Sequence, residues 1–193
     1  MSLSVCVYCG SRPGADPAHA RAAREVGAAV AARGWQLVYG GGRAGLMGEV
    51  ADAALTGGAR VVGVIPRSLI ERELGHPGLA ELHVVETMHQ RKLLMAERSD
   101  AFVALPGGIG TLEELFETWS WRQLGYHGKP LGLFNCAGYY DPLLGFLDRT
   151  REAGFMGRAC RALIEVESDT ARLLDRIAAL AREAGARDDY RAI

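Results

Sequence analysis

Seven short apolar runs alternate along this chain with stretches of helical periodicity, and that alternation limits the fold more than any other feature. The runs fall at 3–9, 36–39, 60–65, 82–85, 101–105, 130–134 and 163–166. Amphipathic stretches lie between and after them, near 18–33, 45–57, 88–98, 111–124, 141–153 and 169–184. Several runs are apolar at nearly every position, the pattern of parallel strands covered by helices on both faces. The pattern predicts an α/β fold, a doubly wound (modified Rossmann) parallel sheet in a single domain. With 193 residues, one core suffices. No internal repeat, low-complexity block or linker divides the chain. Residues 1–185 read as one Rossmann-like domain, and the polar stretch 186–193 as a frayed tail.

A net charge of −1 gives no basic excess for a nucleic acid or a membrane surface. No apolar run reaches membrane-spanning length and the N-terminus lacks a cleavable leader pattern, so the expected location is cytoplasmic. Cys6-Val7-Tyr8-Cys9 has the spacing of redox and zinc sites, but it lies on and just past a strand. Alternate strand residues face opposite sides, and no second pair completes a metal site, so packing is the expected role. No metal is expected.

Sheets of this kind bind ligands at the carboxyl ends of their strands. Three glycine-bearing turns occupy that edge: Cys9-Gly10-Ser11-Arg12, the stretch 40–48, and Pro106-Gly107-Gly108-Ile109-Gly110-Thr111. The last joins an apolar strand to a helix, so its backbone amides can face an anion at a helix N-terminus. Thr111 and Glu114 have capping-box spacing, which gives Glu114 either a structural or a catalytic reading. Gly40-x-Gly42-x-x-Gly45 matches a dinucleotide fingerprint, but the next strand ends in Pro66-Arg67 rather than an acid. An NADP-dependent oxidoreductase is therefore a third-ranked alternative. Thr87 and Gln90 again have capping-box spacing, with Arg91 and Lys92 in the first turn where the helix dipole disfavours cations. This local conflict marks either a functional site or a solvated charged face.

Together these motifs resemble the Lonely Guy family of cytokinin-activating phosphoribohydrolases, historically mislabelled lysine decarboxylases. The family pattern PGGxGTxxE is matched by Pro106, Gly107, Gly108, Gly110, Thr111 and Glu114, and Met-His-x-Arg-Lys by Met88, His89, Arg91 and Lys92. Cys9–Ser11, Gly41–Gly48 and Gln123–His127 followed by Lys129-Pro130 also look like family elements. The resemblance implies hydrolysis of the N-glycosidic bond of a purine riboside 5′-monophosphate, cytokinin-type or AMP, without a cofactor. It implies Glu114 and Arg91 as catalytic residues. Substrate would be held by Gly107, Gly108, Ile109, Gly110 and Thr111, with Lys92, Gly41, Gly42 and Ser11. By resemblance, Glu73 and Ser120 also sit at substrate-contacting positions. A homodimer is implied too, with Phe116 and Trp119 either at its interface or in the core. A nucleotide- or molybdenum-cofactor-binding carrier without turnover is the alternative. Decarboxylation through pyridoxal phosphate is not expected, because Lys92 and Lys129, the only lysines, read as exposed helix-start and turn residues.

Overall fold

The computed structural model describes residues 2–73, 75–184 and 190, without the side chains of 71–73. Seven parallel strands form one sheet: β1 (Ser4–Tyr8), β2 (Gln36–Tyr39), β3 (Val61–Pro66), β4 (Glu81–Val85), β5 (Ala101–Ala104), β6 (Leu131–Phe134) and β7 (Ile164–Glu167). Their order is β4-β3-β2-β1-β5-β6-β7. From β1 the chain winds outward through β2 and β3 to β4. It then crosses back, so that β5 pairs with the other side of β1, with Val5 beside both Leu37 and Ala101. The switch point therefore lies between β1 and β5, where the loops after these strands open a crevice.

The helices are α1 (Pro17–Ala32), α2 (Gly45–Thr56), α3 (Arg67–Glu73), α4 (Met88–Glu97), α5 (Ile109–Leu124), α6 (Asp141–Glu152), α7 (Arg158–Arg161) and α8 (Thr170–Glu183). Alternation along β1 divides the core. Val5, Val7 and Cys9 pack with α1, α2 and α8, whereas Cys6 and Tyr8 pack with α4, α5 and α6. The two cysteines of the CxxC thus lie in different layers. Among the described residues no group of three or more His, Cys, Asp or Glu is placed to hold a metal ion, and no helix is long and apolar enough to cross a membrane.

Local signals set the helix ends. Asp16 caps α1 by accepting from the Ala18 amide (2.8 Å), with Pro17 in the first turn. Gly125 closes α5 in the left-handed conformation. Trp119 is a core residue, 3% exposed, its indole N–H donating to the Cys160 carbonyl (3.1 Å), and Phe116 stacks on it (5.9 Å). Of the expected tail, 186–189 and 191–193 lie outside the described residues. Tyr190 packs against Trp121 and His127, with the Lys129 ammonium over its ring.

Candidate active site

A cleft of about 760 Å³ opens at the switch point, bounded by the loops after β1 and β5 and by the starts of α2, α4 and α5. The two loops are tied together. The Gly10 amide donates to the Pro106 carbonyl (3.1 Å), and the Gly10 carbonyl accepts from Leu46 at the start of α2 (2.9 Å). Gly107 lies so close to Gly10 and Thr111 that a Cβ would press on the Thr111 side chain and stand 2.8 Å from the Gly10 nitrogen.

α5 begins two residues earlier than its periodicity predicts, at Ile109 rather than Thr111. Gly108 is its cap and offers no side-chain hydrogen bond. Thr111 is consequently the third helical residue, buried against Gly107, and the capping-box reading of Thr111 and Glu114 is corrected. The first amides of α5, from Ile109 to Thr111, have no acceptor within the helix and no side-chain cap. They line the cleft together with the positive end of the helix dipole.

Glu114 lies one turn further along α5, 8% exposed and facing the same cleft. Its Oε1 is 3.9 Å from the Arg91 guanidinium, which is buried and donates to the Gly40 carbonyl (3.3 Å). Arg91 Nε is buried without a hydrogen-bond partner among the described residues. Burial, and after it the Glu114 carboxylate, push the thiols of Cys6 and Cys9 up, so both stay protonated at neutral pH. Leu46, Met47, Met88 and Met95 give the cleft an apolar wall beside this charged pair.

On α4 the capping box of Thr87 and Gln90 forms in both directions. Arg91 and Lys92 are buried rather than solvated, and acids of α5 compensate the dipole conflict seen in the sequence. The Lys92 ammonium is held by Glu113 (2.5 Å) and Glu117 (2.8 Å) and does not line the cleft. Burial pushes its pKa down, but the two carboxylates outweigh burial and raise it. Lys129 is buried as well, donating to the Ala96 carbonyl (2.8 Å). The reading of both lysines as exposed is therefore corrected. A Schiff-base lysine needs a lowered pKa and access to substrate. Lys92 has neither, and Lys129 does not line the cleft.

Of the residues singled out in the sequence, Ser11, Arg91, Gly107, Gly108, Ile109, Gly110, Thr111 and Glu114 converge on the cleft. Ser120 is exposed on α5 away from it. Gly41 and Gly42 turn instead toward the β3–β4 connection. Gly41 has a φ of 77° and its carbonyl accepts from the His76 amide (3.1 Å), while Gly42 bridges to Gly75. The Glu73 side chain lies outside the described residues. Arg67, which carried the NADP alternative, is exposed and paired with Glu86 (3.2 Å) outside the cleft. Gly40, Arg12 and Met88, which belong to sequence motifs but were not singled out as substrate contacts, also line the cleft, and so does Tyr139, which sequence reasoning passed over.

The family model described as "Possible lysine decarboxylase" matches residues 47–177. The cytokinin riboside 5′-monophosphate phosphoribohydrolase LOG of Oryza sativa subsp. japonica is 49% identical over 170 residues, covering 88% of this chain and 70% of the relative. The enzyme of the same description named LOG3, from Arabidopsis thaliana, is also 49% identical over 170 residues, covering 88% of this chain and 79% of its own. Among solved structures, the molybdenum cofactor carrier protein of Chlamydomonas reinhardtii superposes with a TM-score of 0.71. It is 21% identical, with 94% of this chain and 99% of that one covered. At that identity the likeness establishes the fold.

Proposed function

The chain belongs to the Lonely Guy family, and from that premise we propose that it hydrolyses the N-glycosidic bond of a purine riboside 5′-monophosphate, releasing free base and ribose 5-phosphate. One observation carries the reading: the uncapped start of α5 and the buried Glu114–Arg91 pair face a single cleft. The amides of Ile109, Gly110 and Thr111 would hold the 5′-phosphate. Glu114 lies four residues past Gly110, about 6 Å further along the helix axis, so the ribose extends from the amides toward its carboxylate.

Cleavage leaves positive charge on C1′ and the ring oxygen of ribose. The Glu114 carboxylate, in a poorly hydrated site, offsets that charge and orients the attacking water. Arg91 cannot supply a proton, because guanidinium does not deprotonate in proteins. Its part is to hold Glu114 and to offer its unpartnered Nε–H to a substrate oxygen. The base rests against the methionine wall, which is apolar and deformable enough for adenine or an N6-alkylated adenine.

Purified protein incubated with AMP, isopentenyladenosine monophosphate and adenosine, with free base quantified by chromatography, tests the proposal. Base release from either monophosphate and none from adenosine supports it. No release from either monophosphate refutes it and leaves a nucleotide-binding or cofactor-binding carrier. We also propose a homodimer, tested by light scattering of the purified chain, and a cytoplasmic location, tested by cell fractionation.

A further inference from the structure

Two tyrosines with no part in the chemistry above are bonded to the backbone of the phosphate loop. The Tyr139 hydroxyl donates to the Gly107 carbonyl (2.6 Å) and the Tyr140 hydroxyl to the Leu105 carbonyl (2.6 Å). Both arrive from the turn between β6 and α6, which adopts an unfavourable conformation to present them. Ala137 has a φ of 51°, and among the described residues no other non-glycine has a positive φ. A side chain with a Cβ is held there only when its surroundings impose it, and such strain gathers at functional positions. The Asn135 side chain supplies part of that constraint. Its Nδ2 donates to Asp141 (2.7 Å) and its Oδ1 accepts from the Tyr140 amide (2.8 Å).

The two tyrosines differ in placement. Tyr140 is 1% exposed and part of the core, whereas Tyr139 is 41% exposed, lines the cleft and packs edge-on against His19. In a trans peptide, a carbonyl and the following N–H point in opposite directions. A hydroxyl that holds the Gly107 carbonyl therefore also sets the direction of the Gly108 N–H. That amide stands at the cap of α5, beside the amides assigned to the phosphate. Two consecutive glycines would otherwise let this peptide rotate freely. We infer that Tyr139 is a positioning residue for recognition of the substrate's 5′-phosphate, acting by fixing the Gly107–Gly108 peptide. The inference rests on the phosphate reading of the cleft proposed above.

Tyr139→Phe keeps the ring and removes only the donor, at a half-exposed position that does not carry the fold. Calorimetric titration with ribose 5-phosphate should show affinity weakened about fivefold to tenfold, the effect of one hydrogen bond. KM for AMP should rise by the same factor with kcat within about twofold, since a uniform binding interaction is lost. Unchanged affinity for ribose 5-phosphate overturns the inference, as does a fall in kcat with that affinity intact. Titration needs no turnover, so the two readings fail separately. Wild-type protein that releases no base but shows the Tyr139→Phe loss would refute hydrolysis and leave the role of Tyr139 standing. Wild-type protein that does not bind ribose 5-phosphate overturns both.

Discussion

Lys92→Met separates the role the structure gives this residue from the substrate contact its motif implies. The ammonium is buried and bonded to Glu113 and Glu117, joining the first turn of α4 to one face of α5. Glu117 is 23% exposed and Glu113 47%, so the two partners do not count equally. The Glu117 contact is an ion pair with a partly buried carboxylate and the Glu113 contact a charge-assisted hydrogen bond to a half-exposed one, together contributing at most about 2–3 kcal/mol. Methionine retains the packing of the stem, and removing a buried ammonium relieves its desolvation, which offsets part of the loss. The expected net destabilisation is about 2 kcal/mol, or a fall in Tm of about 4–8 °C for a chain of this size. Thermal unfolding followed by circular dichroism measures it, and AMP kinetics on the same protein give KM. A Tm within about 1 °C of wild type would refute the clamp, since the ion pairs would then contribute almost nothing. A KM raised more than about tenfold with Tm unchanged would restore a direct substrate contact.

The same clamp predicts a pH dependence. The folded-state pKa of Lys92 is raised, so its stabilisation is fully present below the unfolded-state value near 10.4, and is lost as pH climbs through the higher folded value. Unfolding curves should therefore steepen in their loss of stability above about pH 10.4 in wild type and less so in Lys92→Met. Gly107→Ala should weaken ribose 5-phosphate binding about fivefold or more, because relieving the new contacts with Thr111 and Gly10 costs about 1–3 kcal/mol of loop geometry. Near-normal binding by that variant, measured by calorimetry, would show that the loop tolerates a Cβ.

The sheet was legible because its inner strands are short apolar runs next to Gly, Pro or charge. The edge strands β4 (ELHVV) and β7 (IEVE) alternate apolar with polar or charged residues and carry a weaker signal. All seven strands lie where the seven runs lie, each end within one residue. The losses have local causes. α7 is four residues of basic and small side chains, and α3 follows Pro66 with little periodicity, so neither carries a signal of length or amphipathicity. The start of α5 falls on Ile109-Gly110, a pair with poor helix propensity. Backbone packing under Gly107 sets that start, and no cap side chain announces it.

The candidate site was legible where chemistry resides in one segment, as at 107–114, and obscure where it depends on segments meeting. Lys92 read as a surface charge because the acids that bury it lie on the next helix. Tyr139 and Tyr140 match no catalytic pattern, and only the fold brings their hydroxyls to Gly107 and Leu105. Gly41 and Gly42 carry a nucleotide-like spacing, yet their own contacts are with the β3–β4 connection while Gly40 of the same stretch lines the cleft, a division that only the fold reveals.

The central claim assigns the chemistry to the Glu114 carboxylate and the binding to the α5 amides, and Glu114→Gln separates the two. The amide preserves size and removes charge. Base release from AMP should fall by at least about a hundredfold, while ribose 5-phosphate still binds within about threefold of wild type. Base release at the wild-type rate in Glu114→Gln would contradict the account.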